Sequence, residues 1–421
     1  MYEYGYVYEV VLKEMRAYIE KLKKSGALIE LEHSVSSRYE AASIGLKYKD
    51  KPVLFHAVDD IHRVIMNAVC SREMLADLLG TAPYNLAPFL AGLPESGEGG
   101  EVRIIEDSET KEVIEEPDLS KLPIMRYFNG DGGAYITGGV VVAELDGIRN
   151  ASIHRMMVLG DKRLAVRLVP PRHLYKMHKE AMERGEDLKV GIAIGVAPLI
   201  LLAAATRVPP GREFEYASVL MKEPVELFRL DNGVAVPHAE IVIEGYISGE
   251  RAKEGPFMDI TGTYDKIRKE PVIKLTRIYH RSNPVYHAIV PSGAEHRLLM
   301  GVPYEPLIYR AVERVARVKN VVLTEGGCCY LHAVVQIEKE VEGEAKNAII
   351  AAFAAHPSLK LVVVVDSDIN IFKPEEVEYA IATRVRWSED MVTIPGVRGS
   401  SLDPSSLNGV TTKVGIDATR G

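Results

Sequence analysis

Two carboxylates in the segment EGPFMD, residues 254–259, lie on either side of a Gly-Pro turn. Because a turn breaks regular register, Glu254 and Asp259 could face one pocket, as acid–base chemistry requires; a solvated turn is the alternative. Arg155 ends the string NASIHR, which begins at Asn150. An arginine on a strand could clamp a carboxylate or form an ordinary ion pair. The residue types alone leave both alternatives open.

Common catalytic signatures are absent from this sequence. It contains no GxxxxGK[ST] phosphate loop, no HExxH and no GxSxG. The string GDG at 130–132 begins like a magnesium motif of thiamine enzymes, but the next asparagine, Asn150, is single, which disfavours thiamine. His173 and His178 do not share a helical face, and we expect surface histidines. Three cysteines without a CxxC pair disfavour a sulfur-based metal site.

The overall composition is typical of a folded water-soluble protein. Of 421 residues, 47% are hydrophobic and 26% are charged, and the net charge of −8 disfavours binding to nucleic acid or to an anionic membrane. The N-terminal ten residues lack the basic and apolar regions of a signal peptide. The longest apolar stretch, 190–205, is interrupted by Pro198 and is too short to span a bilayer. We therefore expect a cytoplasmic protein without a membrane span.

Apolar periodicity divides the chain into three regions. The first region combines helices and a strand, the second is rich in β-branched runs, and the third alternates helices and strands. Predicted helices cover 8–24, 72–79, 173–184, 305–316, 343–355 and 374–384. Predicted strands cover 52–56, 139–145, 164–168, 225–230, 239–247, 272–279, 331–337 and 360–365. The tail after Trp387 is rich in Gly, Ser and Thr and is expected to be a loop. These patterns predict an α/β (α+β) fold with domains at 1–117, 118–301 and 302–421, the middle one a barrel or curved sheet.

Several strings in this order resemble the UbiD family of decarboxylases. The resemblance covers nearly the whole chain. The strings are DLSKLPIMRYFNGDGGAYITGGVVV (118–142), NASIHRMMV, PRH (171–173), REFEYA (212–217), KEPVEL, VPHAEIVIEG (236–245), EGPFMDITGTY and the closing KVGIDAT.

The resemblance implies a split β-barrel middle domain that binds prenylated FMN, and a C-terminal α/β domain used in oligomerisation. A divalent cation, Mn²⁺ or Mg²⁺, is implied to hold the flavin phosphate through Asn150, His173 and Glu213, with Glu215 and Glu223 as alternatives to Glu213. These are ligand types that suit such ions. A K⁺ ion is expected beside the backbone at 205–206. The other implied flavin contacts are Ser152, Ile153, His154, Arg155, Arg172, Thr206 and Lys413.

Matching to the family's Glu–Arg–Glu trio assigns catalysis to Glu254, Arg155 and Asp259. The third position departs from Glu and shortens the acid by one methylene. The resemblance implies that Arg155 orients the substrate carboxylate, Glu254 holds Arg155, and Asp259 protonates the carbon that loses CO₂. His154 adds a potential cation next to Arg155.

The basic residues His280, Arg281, His287, His296 and Arg297 are either solvated or indicate a phosphorylated substrate. On the second reading the substrate is trans-anhydromevalonate 5-phosphate, decarboxylated to isopentenyl phosphate in the archaeal mevalonate route. The alternatives are a polyprenyl-4-hydroxybenzoate or other aromatic acid decarboxylase, and a non-catalytic flavin-binding or assembly protein. The expected partners are a small unsaturated carboxylic acid, a flavin prenyltransferase that supplies the cofactor, and further copies of the chain in a homodimer or larger homo-oligomer.

Overall fold

The computed structural model describes residues 12–420, which form helices and strands throughout. The α-helices are α1 (Met15–Lys24), α2 (Glu40–Lys47), α3 (Arg72–Leu79), α4 (Leu86–Ala91), α5 (His173–Glu183), α6 (Pro198–Ala205), α7 (Glu213–Met221), α8 (Ala294–Gly301), α9 (Glu305–Glu313), α10 (Glu344–Ala355) and α11 (Pro374–Arg384). The strands are β1 (Ile29–Leu31), β2 (Val53–Val58), β3 (His62–Met66), β4 (Val102–Ile105), β5 (Val113–Glu115), β6 (Tyr135–Ile136), β7 (Gly139–Leu145), β8 (Ile148–Ile153), β9 (Met156–Val158), β10 (Arg163–Val166), β11 (Leu188–Ile194), β12 (Val225–Arg229), β13 (Ala235–Pro237), β14 (Ile241–Glu254), β15 (Phe257–Met258), β16 (Tyr264–Asp265), β17 (Arg268–His280), β18 (Val285–His287), β19 (Val318–Leu323), β20 (His332–Ile337), β21 (Leu361–Asp366), β22 (Met391–Arg398) and β23 (Val410–Asp417).

The predicted mixed α/β class is confirmed, and several elements have the predicted bounds. Helix α3 begins after Ser71, whose side chain accepts a hydrogen bond from the Met74 amide, and ends at Gly80 in the left-handed conformation. The predicted helix 8–24 is shorter, because it begins at Met15. Residues 8–11 of the predicted helix lie outside the described residues. The N-terminal ten residues, which we expected not to be a signal peptide, lie outside them as well.

The largest sheet has nine strands and carries most of the candidate site. Eight strands follow the order β6-β9-β10-β17-β14-β11-β7-β8, and β5 pairs with β17. No ladder among the described strands joins β6 to β8, so the path is open. The long strands β14 and β17 pair antiparallel, with register shifts after Glu244 and Ile247 that bend the ladder. Their inward residues belong to a continuous buried core with β7, β10 and β11.

Smaller sheets flank this central sheet. Strands β1, β2, β3 and β18 form one sheet, and β13, β12 and β4 form another. Strands β15 and β16 form a short hairpin. Strands β19 to β23 form a five-stranded sheet, the C-terminal sheet, in the order β19-β20-β21-β23-β22. This sheet packs against α9 and α10. The proposed domain boundaries stay a prediction.

The expectation of a loop after Trp387 is wrong. Strands β22 and β23 pair antiparallel, and β23 also pairs parallel with β21 inside the C-terminal sheet. The polar and glycine residues conceal the strands because β22 lies at the sheet edge, where most of its side chains are exposed or half-exposed. The sequence also predicted that no segment spans a membrane. Within residues 12–420, no helix is long and apolar enough to do so.

Candidate active site

The acidic segment 254–259 follows the end of the longest strand. Glu254 is the last residue of β14 and is fully buried. Gly255 has φ of +96°, a conformation that suits glycine, and the chain then enters the hairpin of β15 and β16. Asp259 lies in the hairpin turn, where its amide donates to the Thr263 carbonyl. The turn thus allows the carboxylates of Glu254 and Asp259 to face the same side of the hairpin.

Arg155 joins these carboxylates. Its Nε and Nη2 donate to the two oxygens of Glu254 at 2.9 and 3.0 Å. Its Nη1 donates to Asp259 Oδ2 at 3.2 Å. Its Nη2 also donates to Asp265 Oδ2 at 2.9 Å. The structure therefore brings together the three residues matched to the family's trio and adds a third carboxylate.

Aromatic residues complete the wall around Arg155. The guanidinium lies over the Phe257 ring, 4.8 Å from its centroid. That ring packs against Tyr135 with centroids 4.6 Å apart. The Tyr135 hydroxyl donates to Glu254 Oε1 at 3.2 Å and accepts from the Gly255 amide at 3.1 Å. These contacts fix both the plane of the guanidinium and the carboxylate of Glu254.

The charges in this cluster shift two pKa values. Burial alone lowers the pKa of Arg155, but Glu254, Asp259 and Asp265 together raise it above its ordinary value. Burial raises the pKa of Asp265, but hydrogen bonds and charges from Arg268 and Arg155 outweigh it and hold the pKa below its usual range. Arg155 therefore stays a cation, and Asp265 stays ionised near neutral pH.

The GDG string, considered above as a thiamine motif, contacts the hairpin of β15 and β16. The buried Asp131 carboxylate accepts from the Phe128 amide at 2.8 Å and from the Met258 amide at 3.4 Å. The Gly132 amide donates to the Pro256 carbonyl at 2.7 Å. This loop therefore holds the segment between Glu254 and Asp259 from the other side.

A chain of hydrogen bonds runs along β8 from Asn150. Asn150 and Ser152 are two residues apart and lie on one face of the strand. The Asn150 Nδ2 donates to Ser152 Oγ at 2.9 Å, and Ser152 Oγ lies 2.9 Å from His154 Nε2. His154 Nδ1 lies 2.9 Å from the Arg167 carbonyl and must donate to it. This order leaves the Asn150 Oδ1 as the amide atom free to bind a cation.

His154 is not the cation that the sequence suggested. Burial, together with the charges of Arg172 and Arg167, lowers its pKa to about 4, so the ring is neutral near pH 7. The expectation of an additional positive charge beside Arg155 is therefore wrong. The position of His154 in the chain of hydrogen bonds still connects it to Asn150.

His173 and Glu213 come together at the first residues of α5 and α7, with Nδ1 and Oε1 3.9 Å apart. Burial raises the pKa of Glu213 to about 7, although the Ala151 amide, next to Asn150, lowers it. A buried carboxylate without a strong cationic partner, a nearby imidazole and an available amide oxygen fit a divalent cation. Glu215 instead pairs with Arg212, and Glu223 pairs with Lys13, so neither alternative lies beside His173.

The remaining predicted flavin contacts lie in two places. Arg172 precedes the first residue of α5, and its Nη2 donates to the Tyr304 hydroxyl at 2.9 Å. Lys413 on β23 donates to the Pro357 carbonyl at 2.6 Å, and burial lowers its pKa to about 8. Ile153 packs against the core. The hydroxyl of Thr206, at the end of α6, donates to the Leu202 carbonyl at 2.8 Å.

The basic residues of the segment 280–297 lie in two different environments. Some form ion pairs away from Arg155, and others lie near it. Arg281 pairs with Glu14, and His287 is fully buried against Glu295, 3.1 Å from its carboxylate. Two others, Arg297 and His296, face the hairpin of β15 and β16. The Arg297 Nε donates to the Ile260 carbonyl at 3.3 Å. Burial lowers the pKa of His296, and the opposing charges of Asp259 and Arg155 act on the same ring.

Solvation therefore does not explain His287. The prediction of a surface position is wrong for His178 as well, since it is buried with Nε2 3.1 Å from the Ser248 carbonyl.

Sequence reasoning missed Asp265, Arg268 and Tyr135, whose hydrogen bonds complete the cluster around Arg155 and Glu254. Asp265 follows Asp259 across the turn DITGTY, and the Gly and Thr residues of that turn were a signal for a tight hairpin. Recognising the hairpin would have placed Asp265 beside the acidic segment. Nothing in the sequence around Tyr135 marks its contact with Glu254.

Three family models match this chain along most of its length. They describe the N-terminal, Rift-related and C-terminal domains of 3-octaprenyl-4-hydroxybenzoate carboxy-lyase, the UbiD type, and match residues 19–92, 103–294 and 297–418. Among curated relatives, the anhydromevalonate phosphate decarboxylase of Methanosarcina mazei is 59% identical over 408 residues, which cover 96% of each chain.

Solved structures of UbiD-class enzymes have the same fold. The enzyme HmfF from Pelotomaculum thermopropionicum, solved in complex with FMN, has a TM-score of 0.93 at 40% identity, covering 97% of this chain and 94% of that one. An evolved dimeric form of HmfF in complex with prFMN has a TM-score of 0.89 at 37% identity, covering 97% and 95%.

Proposed function

Because the chain belongs to the UbiD family of carboxy-lyases, we propose that it uses prenylated FMN to decarboxylate trans-anhydromevalonate 5-phosphate to isopentenyl phosphate and CO₂. The observation that carries the chemistry is the contact of Arg155 with both Glu254 and Asp259. The substrate is proposed from the relative of M. mazei, which is named for anhydromevalonate phosphate and aligns over nearly the whole chain. That alignment favours the phosphorylated acid over the aromatic acids left open above.

The cofactor is proposed from the solved relatives and from the donor groups of this chain. HmfF structures contain FMN or prFMN. Asn150, His173 and Glu213 would hold a Mn²⁺ or Mg²⁺ ion that binds the flavin phosphate, and a K⁺ ion would lie by the backbone at 205–206. Arg172 and Lys413 would supply further positive charge. When bound, the modified flavin provides the electron sink that decarboxylation of an unsaturated acid requires and that no side chain supplies.

The residues around Arg155 would perform the remaining steps. Arg155 would bind the substrate carboxylate through two parallel N–H donors and orient the bond that breaks. Glu254, held by Tyr135, would keep the guanidinium in this plane. After the C–C bond breaks and CO₂ leaves, Asp259 would donate its proton to the same carbon, and solvent would return a proton to Asp259.

We further propose that the protein obtains its cofactor from a flavin prenyltransferase and acts as a homodimer or larger homo-oligomer. Support for self-association comes from the evolved dimeric form of HmfF, which shares the fold. The exposed edge strand β22 offers unpaired backbone groups on the C-terminal sheet, where another copy could bind.

The test is co-expression with a flavin prenyltransferase, followed by absorbance and metal analysis and by CO₂ release from a panel of acids. We expect CO₂ from trans-anhydromevalonate 5-phosphate and little from its unphosphorylated form or from 3-polyprenyl-4-hydroxybenzoate. Protein made without the prenyltransferase is the control and should be inactive. Release of CO₂ from the aromatic acid alone would contradict the proposed substrate, and a loaded protein inactive on every acid would contradict the reaction.

A further inference from the structure

The hydrogen bonds of Arg155 leave too few free donors for a second bidentate carboxylate. A guanidinium has five N–H groups. Glu254 takes the Nε group and one Nη2 group, and Asp259 takes one of the two Nη1 groups. The second Nη2 group is bonded to Asp265. Among residues 12–420, one Nη1 donor is left without a partner.

A substrate carboxylate needs donors on two neighbouring nitrogens to bind in the bidentate manner. With Glu254 in place, the pair that can serve is Nη1 with Nη2. The Nη2 donor of that pair is occupied by Asp265 Oδ2 at 2.9 Å. The acid therefore has to leave Arg155 before a substrate carboxylate can bind.

Asp265 has a second guanidinium to which it is already bonded. Its Oδ2 also accepts from Arg268 Nη1, and its Oδ1 accepts from the Lys266 amide at 2.8 Å. Arg268 Nη1 is anchored in addition on the Lys266 carbonyl, at 3.1 Å. Asp265 and Arg268 are 12% and 17% exposed, so water replaces these partners poorly. If its bond to Arg155 breaks, the Asp265 carboxylate thus still has the Arg268 guanidinium and the Lys266 amide as hydrogen-bond donors.

We propose that Asp265 is a positioning residue that occupies the carboxylate position on Arg155 in the free enzyme and moves to Arg268 alone when the substrate binds. This proposal rests on the proposed function, because it takes Arg155 as the residue that binds the substrate carboxylate. Asp265 keeps the Nη2 donor aligned before binding. Arg268 sets the strength of that competition by sharing the same carboxylate oxygen.

The arrangement makes opposite predictions for the two partners of one ion pair. Asp265→Asn removes the competing charge while keeping a similar shape, so a carboxylate should bind more tightly. Arg268→Gln leaves Arg155 as the sole guanidinium partner of Asp265, so a carboxylate should bind more weakly. In Asp265→Asn/Arg268→Gln the loss of Arg268 should have little further effect, because the group it restrains carries no charge.

The test uses crotonate, an unsaturated carboxylate without a phosphate, and flavin-loaded protein. Its dissociation constant is measured by saturation-transfer NMR. We expect Asp265→Asn to lower this constant about threefold or more and Arg268→Gln to raise it by a similar factor, as for removal of one half-buried charge partner. Glu250→Gln, which breaks the exposed pair with Arg163, is the matched control and should change nothing.

A purely structural role for Asp265 gives the opposite sign. If Asp265→Asn weakens crotonate binding, or if Arg268→Gln leaves it unchanged, the proposal is wrong. Thermal melting establishes that each variant is folded. The proposal is also contradicted if all variants are folded and the effects of Asp265→Asn and Arg268→Gln on the dissociation constant of crotonate simply add in the double variant.

Steady-state kinetics with trans-anhydromevalonate 5-phosphate separates binding from turnover. Asp265→Asn should lower KM by more than it changes kcat.

Arg155→Ala distinguishes this proposal from the proposed function. If Arg155→Ala binds crotonate as well as the wild type, the assignment of Arg155 as the carboxylate-binding residue fails. If Arg155→Ala loses binding while Asp265→Asn has no effect, the role of Asp265 alone fails. If the wild type binds crotonate but releases no CO₂ from the phosphorylated acid, the proposed substrate fails and the crotonate series still decides the role of Asp265.

Discussion

At the scale of single residues, the shape of Arg155 matters as much as its charge. Arg155→Lys keeps a cation but loses the planar donors that bind Glu254 through two nitrogens. We expect kcat/KM to fall by about two orders of magnitude or more, which corresponds to roughly 3 kcal/mol of transition-state stabilisation. Arg163→Lys on β10, an exposed arginine, is the control. Turnover close to that of the wild type would remove Arg155 from the mechanism.

The proposed role of Asp259 as proton donor can be separated experimentally from cofactor binding. It contacts Arg155 and lies in the hairpin turn, whereas Asn150, His173 and Glu213 lie on other elements. Asp259→Asn should therefore keep flavin and metal but block protonation of the product carbon, so that turnover and incorporation of solvent deuterium are lost together.

Asp259→Glu is the matched variant and should retain part of the activity, since it restores the acid more typical of the family. If Asp259→Asn instead loses the flavin or turns over normally, Glu254 becomes the next candidate for the proton donor.

Sequence reasoning found Glu254, Arg155 and Asp259 but missed Asp265, and the reason is physical. Glu254, Arg155 and Asp259 are far apart in sequence and could be grouped through the resemblance to a family. Asp265 meets Arg155 because a short hairpin reverses the chain, and the side chain of Asp259 faces the same cation. Neither a helical nor a strand period describes such a contact. The pKa of His154 likewise depends on burial that its neighbours in sequence do not reveal.

At the scale of elements, regular periodicity predicted most helices and strands, and exposure hid the rest. Helix α11 has the predicted bounds because Pro374 suits its first turn and Arg384 its last. Strand β14 extends beyond the predicted end at 247 as far as Glu254. The additional residues are mostly exposed and charged, so they lack the apolar pattern that the prediction used. That extension is what brings Glu254 to the site.

The loop at 130–133 offers a test of how closely the hairpin is held. A Cβ on Gly132 would lie 2.2 Å from the Gly255 carbonyl oxygen, a backbone atom next to Glu254. Gly132→Ala should therefore displace the hairpin and lower kcat about tenfold or more, since small misplacements of catalytic groups are costly. Steady-state kinetics with the measured flavin content checks this.

Gly133→Ala is the matched control for this loop. Its Cβ would meet the flexible Met157 side chain at 3.2 Å, and it should be tolerated. Equal activity of the two variants would contradict a close fit between the loop and the hairpin.

At the scale of the whole molecule, a buried ion pair connects distant parts of the chain. Arg72 at the start of α3 binds both oxygens of the buried Glu305 on α9, at 2.7 and 2.9 Å. Glu305 also accepts from the Leu323 amide on β19 at 3.0 Å. Removal of one partner would leave a buried charge unpaired, which is far more costly than loss of a surface pair. Helix α3 is thus tied through α9 to the C-terminal sheet that carries Lys413.

His356 couples the stability of the whole molecule to pH. It is 1% exposed, stacks on Tyr304 with ring centroids 3.9 Å apart, and has Nε2 3.0 Å from the Tyr330 carbonyl. Burial, together with the charges of Arg207, Lys413 and Arg172, lowers its pKa from 6.5 to about 3. Between these values the unfolded chain binds a proton that the folded chain does not. The free energy of unfolding should therefore decrease as pH falls below about 6.5, by up to roughly 1.4 kcal/mol per pH unit from this residue.

His356→Gln tests this coupling, because glutamine can still donate to the Tyr330 carbonyl but does not titrate. Urea unfolding at pH 7, 6 and 5 should give a free energy that depends less steeply on pH in this variant, by about one proton between pH 6 and 5. His33→Gln, at an exposed histidine, should leave the slope of the wild type unchanged. Equal slopes for wild type and His356→Gln would show that the folded protein accepts a proton at His356 as readily as the unfolded chain. The stack with Tyr304 and the neighbouring cations would then not keep this ring neutral.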